Sequence, residues 1–100
     1  MKISIEQIKQ DLKDIQYYHS HQAIFQKAVM TEAIKIMICK VVTYQEIMMS
    51  APFDLFIIYE GLYVHKQTQK ALAEYLEISQ RTVRRRREQI YQYLQKRLKF

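Results

Sequence analysis

From Gln69 to Arg87 the chain runs Gln69-Lys70-Ala71-Leu72-Ala73-Glu74-Tyr75-Leu76-Glu77-Ile78-Ser79-Gln80-Arg81-Thr82-Val83-Arg84-Arg85-Arg86-Arg87. Leu72, Ala73 and Leu76 line one face of a short helix, and Ala73 is small where a second helix must cross closely. Ile78 plugs the turn, Ser79 caps the next helix, and Val83 points back toward the first. Positions with different size requirements agree at once, which is the pattern of a helix-turn-helix. The plainer reading is a pair of surface helices joined by a short loop.

Helical geometry separates the arginines. At about 100° per residue, Ile90 and Leu94 fall within about 20° of Val83, which defines a buried face. Arg81, Arg84, Arg85 and Glu88 fall on the opposite face, and Gln80 and Thr82 lie near the helix N-terminus. Gln80, Arg81, Thr82, Arg84 and Arg85 are therefore the candidates for base edges in a major groove, where an arginine can hold guanine through two hydrogen bonds. Lys66, Thr68, Gln69, Lys70 and Ser79 are placed for phosphates, with the backbone at Thr68 and Gln69 contributing. Arg86 and Arg87 fall near the buried side. Their stems are expected along apolar surface, with the charged ends reaching phosphate, solvent or Glu74 and Glu77. The plainer alternative for the four-arginine run is a solvated face, or a tract that binds any polyanion.

The whole chain has 100 residues and a formal net charge of +6. That length allows one domain, 1–100, and 49% hydrophobic residues are enough to give it a core. Residues 1–65 carry six lysines against seven acids, a net −1. Residues 66–100 carry ten cations against Glu74, Glu77 and Glu88, a net +7. Such asymmetry suggests a polyanion-binding end joined to a part with another task.

The N-terminal part reads as helix. Ser4 and Gln7 make a capping box, with Ile3 and Ile8 as a hydrophobic staple, so a helix starts at Ile5. Ile5, Ile8, Leu12 and Ile15 form one stripe, which fades at Tyr17-Tyr18-His19-Ser20-His21, where a break is expected. From there Met30, Ile34, Met37, Val41, Tyr44 and Met48 recur as a helix seam and are the candidate oligomer interface. Ala33, Ile36, Ile38 and Val42 widen the stripe, which implies burial on more than one side. Thr43 and Glu46 could cap a second helix, which leaves the continuity of 21–50 open. Pro52 suits the first turn of a new helix capped by Ser50 or Ala51, ending at Gly61 in a left-handed conformation. With no hairpin signal and no alternation, the fold class expected is all-α: N-terminal helices over 1–50 as a platform, then a helix-turn-helix part over 52–100.

Composition narrows the function classes. One Gly and one Pro exclude Gly-rich phosphate cradles, and one cysteine makes neither an intrachain disulfide nor a zinc site, so no cofactor or metal is expected and the cytoplasm is the default. Met1 to Glu6 lacks an apolar signal-peptide core, and Asp54 interrupts the most apolar stretch, so no membrane span is expected. His19 and His21, two apart, are poor co-ligands, and His65 reads as a surface histidine. Cys39 reads as a small core residue and Asp11 and Asp14 as a solvated acidic face, while Tyr91 and Tyr93 could stack on bases of a single strand but read better as helix-packing or dimer-contact residues. No catalytic site is found, and the chain is not expected to be an enzyme.

The stretch Phe53 to Leu94 includes Phe53-Asp54-Leu55-Phe56, Tyr59-Glu60-Gly61-Leu62-Tyr63-Val64-His65-Lys66, Thr68-Gln69 and Ile78-Ser79-Gln80-Arg81-Thr82-Val83. It resembles the ArpU/RinA-type regulators of phages and prophages in Gram-positive bacteria, whose DNA-binding part looks like region four of a sigma factor. The resemblance implies a small activator of late phage genes that binds a promoter and acts on the host RNA polymerase. Two positions depart from that pattern: Glu77 stands at a turn position often held by Gly, and Arg86 at a position often apolar. A left-handed Glu77 would cost about 1–2 kcal/mol.

The function expected is sequence-specific binding of double-stranded DNA by a homodimer, since a two-fold protein on a palindromic site adds the affinities of two modules. A small terminase subunit that recognises a packaging site is the rival within DNA binding. A modulator whose basic helix docks on an acidic protein is the rival from another class.

Overall fold

The computed structural model describes residues 2–27 and 29–98. Among the described residues six α-helices follow one another: α1 (Ile5–Ser20), α2 (Gln22–Lys27), α3 (Glu32–Met49), α4 (Phe53–Tyr59), α5 (Gln69–Leu76) and α6 (Gln80–Arg97). A π-helical segment, Glu60–Val64, continues α4. The fold is all-α, with no sheet among the described residues.

One core joins the two halves of the chain. Ile8, Leu12 and Ile15 from α1, Val41, Tyr44 and Met48 from α3, and Ile58 and Tyr59 from α4 share it with Leu72, Val83, Ile90 and Leu94. The expected start of α1 is observed: Ser4 Oγ accepts from the Gln7 N–H at 3.1 Å, and Ile3 and Ile8 are both buried. The capping box is only half made. The Gln7 amide reaches forward to Asp11 at 2.8 Å instead of back to the cap.

Several expectations are corrected. The described residues 29–31 are not helical, and Thr31 caps α3 by accepting from the Ile34 N–H; α3 then runs unbroken through Thr43. Met30 precedes the helix and is exposed. Of the proposed oligomer seam, Val41, Tyr44 and Met48 are buried against this chain's own helices, while Ile34 and Met37 are half-buried. The lower half of that seam is thus inside the fold, because α1 and α6 pack on it. Ile36, Val42 and Cys39, expected inside, are exposed on the outer side of α3. The helix is buried along one side only.

The helix after Pro52 also differs in its ends. Pro52 is itself the N-cap, with no side-chain cap bond. Gly61 does not end the helix and has no positive φ. The chain instead widens into the π segment, in which the His65 N–H donates to the Glu60 carbonyl at 2.9 Å, and the left-handed residue that turns it is Lys66, with φ 51°. Glycine is needed at 61 for space. The side chain of Leu72 packs against its Cα so closely that a Cβ there would lie 2.6 Å from Leu72 Cδ1. This contact seats α5 on the π segment.

A polar cluster sits where α1 meets α3. Asp11, expected in a solvated face, is buried: its carboxylate accepts from the Tyr44 hydroxyl at 2.6 Å and from Gln7, with Lys40 Nζ at 3.2 Å. Lys40 also donates to Asp14 at 3.1 Å. Burial works against the Lys40 charge, but the bonds to Asp14 and Asp11 outweigh it and raise its pKa. Burial and the bond to Asp11 push the Tyr44 hydroxyl far above the usual phenol range.

Candidate nucleic-acid interface

The helix pair α5 and α6 is held by its caps and its turn. Thr68 Oγ1 accepts from the Ala71 N–H at 3.0 Å, and Ser79 Oγ accepts from the Thr82 N–H at 3.1 Å, so each helix begins on a hydroxyl cap. Neither helix carries an acid in its first turn, which leaves both positive dipole ends uncompensated. Between them Glu77 adopts φ 57° and ψ 42°, the left-handed conformation expected if the turn is to close. The Ile78 N–H then reaches the Ala73 carbonyl at 3.0 Å, satisfying a helix-end acceptor. The Gln69 amide donates to the Gln80 carbonyl at 3.3 Å and ties the two helix starts together.

The face assignment of α6 holds. Val83, Ile90 and Leu94 are each fully buried, and Arg81, Arg84, Arg85 and Glu88 are exposed. Arg81, Arg84 and Arg85 take part in no ion pair among the described residues. With Arg87 and Glu88 they line a shallow concave surface of about 610 Å³. Gln80 is exposed beside them. Thr82 is half-buried and Ser79 exposed, and their hydroxyls are 2.9 Å apart at the cap of α6. Lys66 and Lys70 are exposed, near the start of α5.

Arg86 and Arg87 leave the helix on opposite flanks. Both are half-buried, as their helical positions imply, but neither pairs with Glu74 or Glu77 among the described residues. Arg86 lies about 60° from Val83 on the side of α4, where its Nε faces Asp54 Oδ2 at 3.8 Å. Arg87 lies about 40° from Val83 on the other side, toward α1 and Tyr63. Its Nε is buried with no hydrogen-bond partner among the described residues. An orphaned donor of this kind costs about 1–3 kcal/mol.

The arrangement brings together unpaired guanidinium groups, two hydroxyl-capped helix N-termini with no acid in their first turns, and the flanking lysines. Chemically it is suited to an extended anion with planar acceptor edges. Lys9 and Lys13 of α1 were not singled out from the sequence, although they line a cleft with Arg87. Their spacing of four placed them on one helix face, but the partner across the cleft is more than seventy residues away. The approach of Asp54 to Arg86 is likewise a contact between distant segments that spacing along one helix does not reveal. Tyr91 and Tyr93 are buried within the chain's own helix packing, one of the two readings their positions favoured. Lys9 Nζ lies 5.6 Å from the Tyr91 ring centroid, and the Arg97 guanidinium lies 4.0 Å from that of Tyr93. No helix among the described residues is long and apolar enough to cross a membrane. Compared with known proteins, the chain matches no family model, no curated protein and no solved structure.

Proposed function

We infer that the chain is a sequence-specific double-stranded DNA-binding regulator, in which α5, the Glu77 turn and α6 act as a helix-turn-helix. The observation that carries this reading is the set Arg81, Arg84 and Arg85, exposed on one face of the first turns of α6 and free of ion pairs among the described residues. A solvated charged face shares this segregation from the buried Val83, Ile90 and Leu94. What favours DNA is that the three arginines lie on the second helix of a capped helix-turn-helix pair and carry no neutralising acid partner among the described residues. On a duplex, Arg81, Arg84 and Arg85 read base edges, with Gln80 at the helix start, while Lys66, Lys70 and the N-terminus of α5 hold phosphates. The resemblance to ArpU/RinA-type regulators directs the reading to a promoter in the bacterial cytoplasm, with the host RNA polymerase as a second partner.

The proposal includes a homodimer. Its support is the pair Val42 and Met49, about 20° apart around α3 and respectively 48% and 68% exposed. This replaces the inner seam that packs on α1 and α6.

Selection of bound sequences from a random duplex pool at physiological salt tests the reading. Enrichment of one motif is expected, in two inverted copies if the dimer binds, and Arg84→Ala weakens the selected site by about ten-fold or more while random DNA loses far less. A pool that emerges unenriched overturns the reading and favours a protein-binding modulator.

A further inference from the structure

The cleft between α1 and α6, about 440 Å³, joins cations from opposite ends of the chain. Lys9 and Lys13 enter it from α1, and Arg87 from α6. Glu6 and Glu88 also line it, so three cations face two carboxylates and the excess is one positive charge. Glu6 is taken by Lys9 at 3.9 Å. Lys13 is exposed and belongs to no ion pair among the described residues. Arg87 brings a buried Nε with no acceptor. Arg87 and Glu88 also line the concave arginine surface of α6, so the cleft is continuous with it.

We propose that this cleft is a phosphodiester site, in which Arg87 and Lys13 hold one backbone phosphate of the duplex that faces Arg81, Arg84 and Arg85. The proposal rests on the DNA-binding reading above and gives the N-terminal helix a share in it. A phosphate is the fitting anion for three reasons. A guanidinium and an ammonium supply donors for separate phosphate oxygens. A single phosphodiester charge matches the excess of one. A duplex lying along α6 carries such groups past the Arg87 flank at regular intervals. α1 thereby fixes how the reading helix sits on its site without itself contacting bases.

Fluorescence anisotropy of the full chain on a selected and a scrambled duplex, measured across salt concentrations, tests the clamp. Lys13 is exposed, so Lys13→Gln keeps the fold, which its melting curve checks. Lys13→Gln is expected to weaken both duplexes by the same factor and to lower the log–log salt slope by about one. Arg87→Lys keeps the charge but loses the forked donor and weakens both duplexes with little change of slope. Glu6→Gln strengthens both. Arg84→Ala, in contrast, weakens the selected duplex far more than the scrambled one. If Lys13→Gln leaves affinity and slope unchanged while Arg84→Ala is impaired, the clamp is overturned and the reading helix stands. If Lys13→Gln discriminates between the duplexes, Lys13 touches bases and the clamp is again overturned. If the unaltered chain binds neither duplex, the DNA-binding reading falls and the clamp with it.

Discussion

Leu72 Cδ1 stands 2.6 Å from the point where a Cβ on Gly61 would lie, and Leu72 Cδ2 and Gln67 Oε1 stand 3.0 Å from it. Leu72 is almost wholly buried, so its side chain has little room to turn away. Gly61→Ala gains up to about 1 kcal/mol of helix propensity. It also forces an overpacked contact that costs about 1–3 kcal/mol. A net loss of about 1–2 kcal/mol is expected, seen as a fall in Tm of several degrees. An unchanged or raised Tm would show that α5 is not seated on the π segment through this contact.

Glu77 is a left-handed residue with a Cβ, at φ 57°. Glu77→Gly removes a backbone cost of about 1–2 kcal/mol and adds about 0.5–1 kcal/mol of unfolded-state entropy. Thermal melting should show a net gain of about 0.5–1 kcal/mol. A loss would mean that the Glu77 side chain stabilises the turn by more than its strain.

Tyr44 donates to a buried carboxylate, Asp11, at 2.6 Å. Tyr44→Phe leaves that oxygen with a lost charge-assisted bond, and a destabilisation of about 1.5–3 kcal/mol is expected in urea unfolding at fixed protein concentration. An unchanged urea midpoint would show that this bond does not hold α3 against α1.

His19 links stability to pH. Burial lowers its pKa below the ordinary 6.5; Glu60 pulls it up and His65 pushes it down, but burial prevails. The unfolded chain therefore takes up the proton first as pH falls. Stability is full above about 6.5 and is lost as pH drops toward the depressed value. Urea midpoints at neutral and mildly acid pH should converge in His19→Gln relative to the unaltered chain. An acid limb that persists in this variant assigns the loss to carboxylates.

The local rules were legible in the sequence. Ser4, Thr68 and Ser79 cap their helices through the third residue on, two of them called from residue type and spacing and all three decided by contacts a few residues apart. Val83, Ile90 and Leu94 share a buried face because their phase is set by 3.6 residues per turn alone. The all-α class and the outward arginines follow from the same short-range geometry.

What escaped the sequence depends on contacts between distant segments. The same apolar spacing in α3 is compatible with a core or with a dimer seam, and only the packing of α1 and α6 on Val41, Tyr44 and Met48 chose between them. Gly61 reads as a turn residue until Leu72 is seen against its Cα, and Asp11 reads as solvated until Tyr44 and Lys40 close over it. The charge balance of −1 and +7 divides the chain at residue 65, yet folding carries Lys9 and Lys13 to the flank of Arg87. Periodicity along a helix dictates which way a side chain points, because that is backbone geometry. What it points at is set by burial of apolar surface between helices, which is a property of the whole chain.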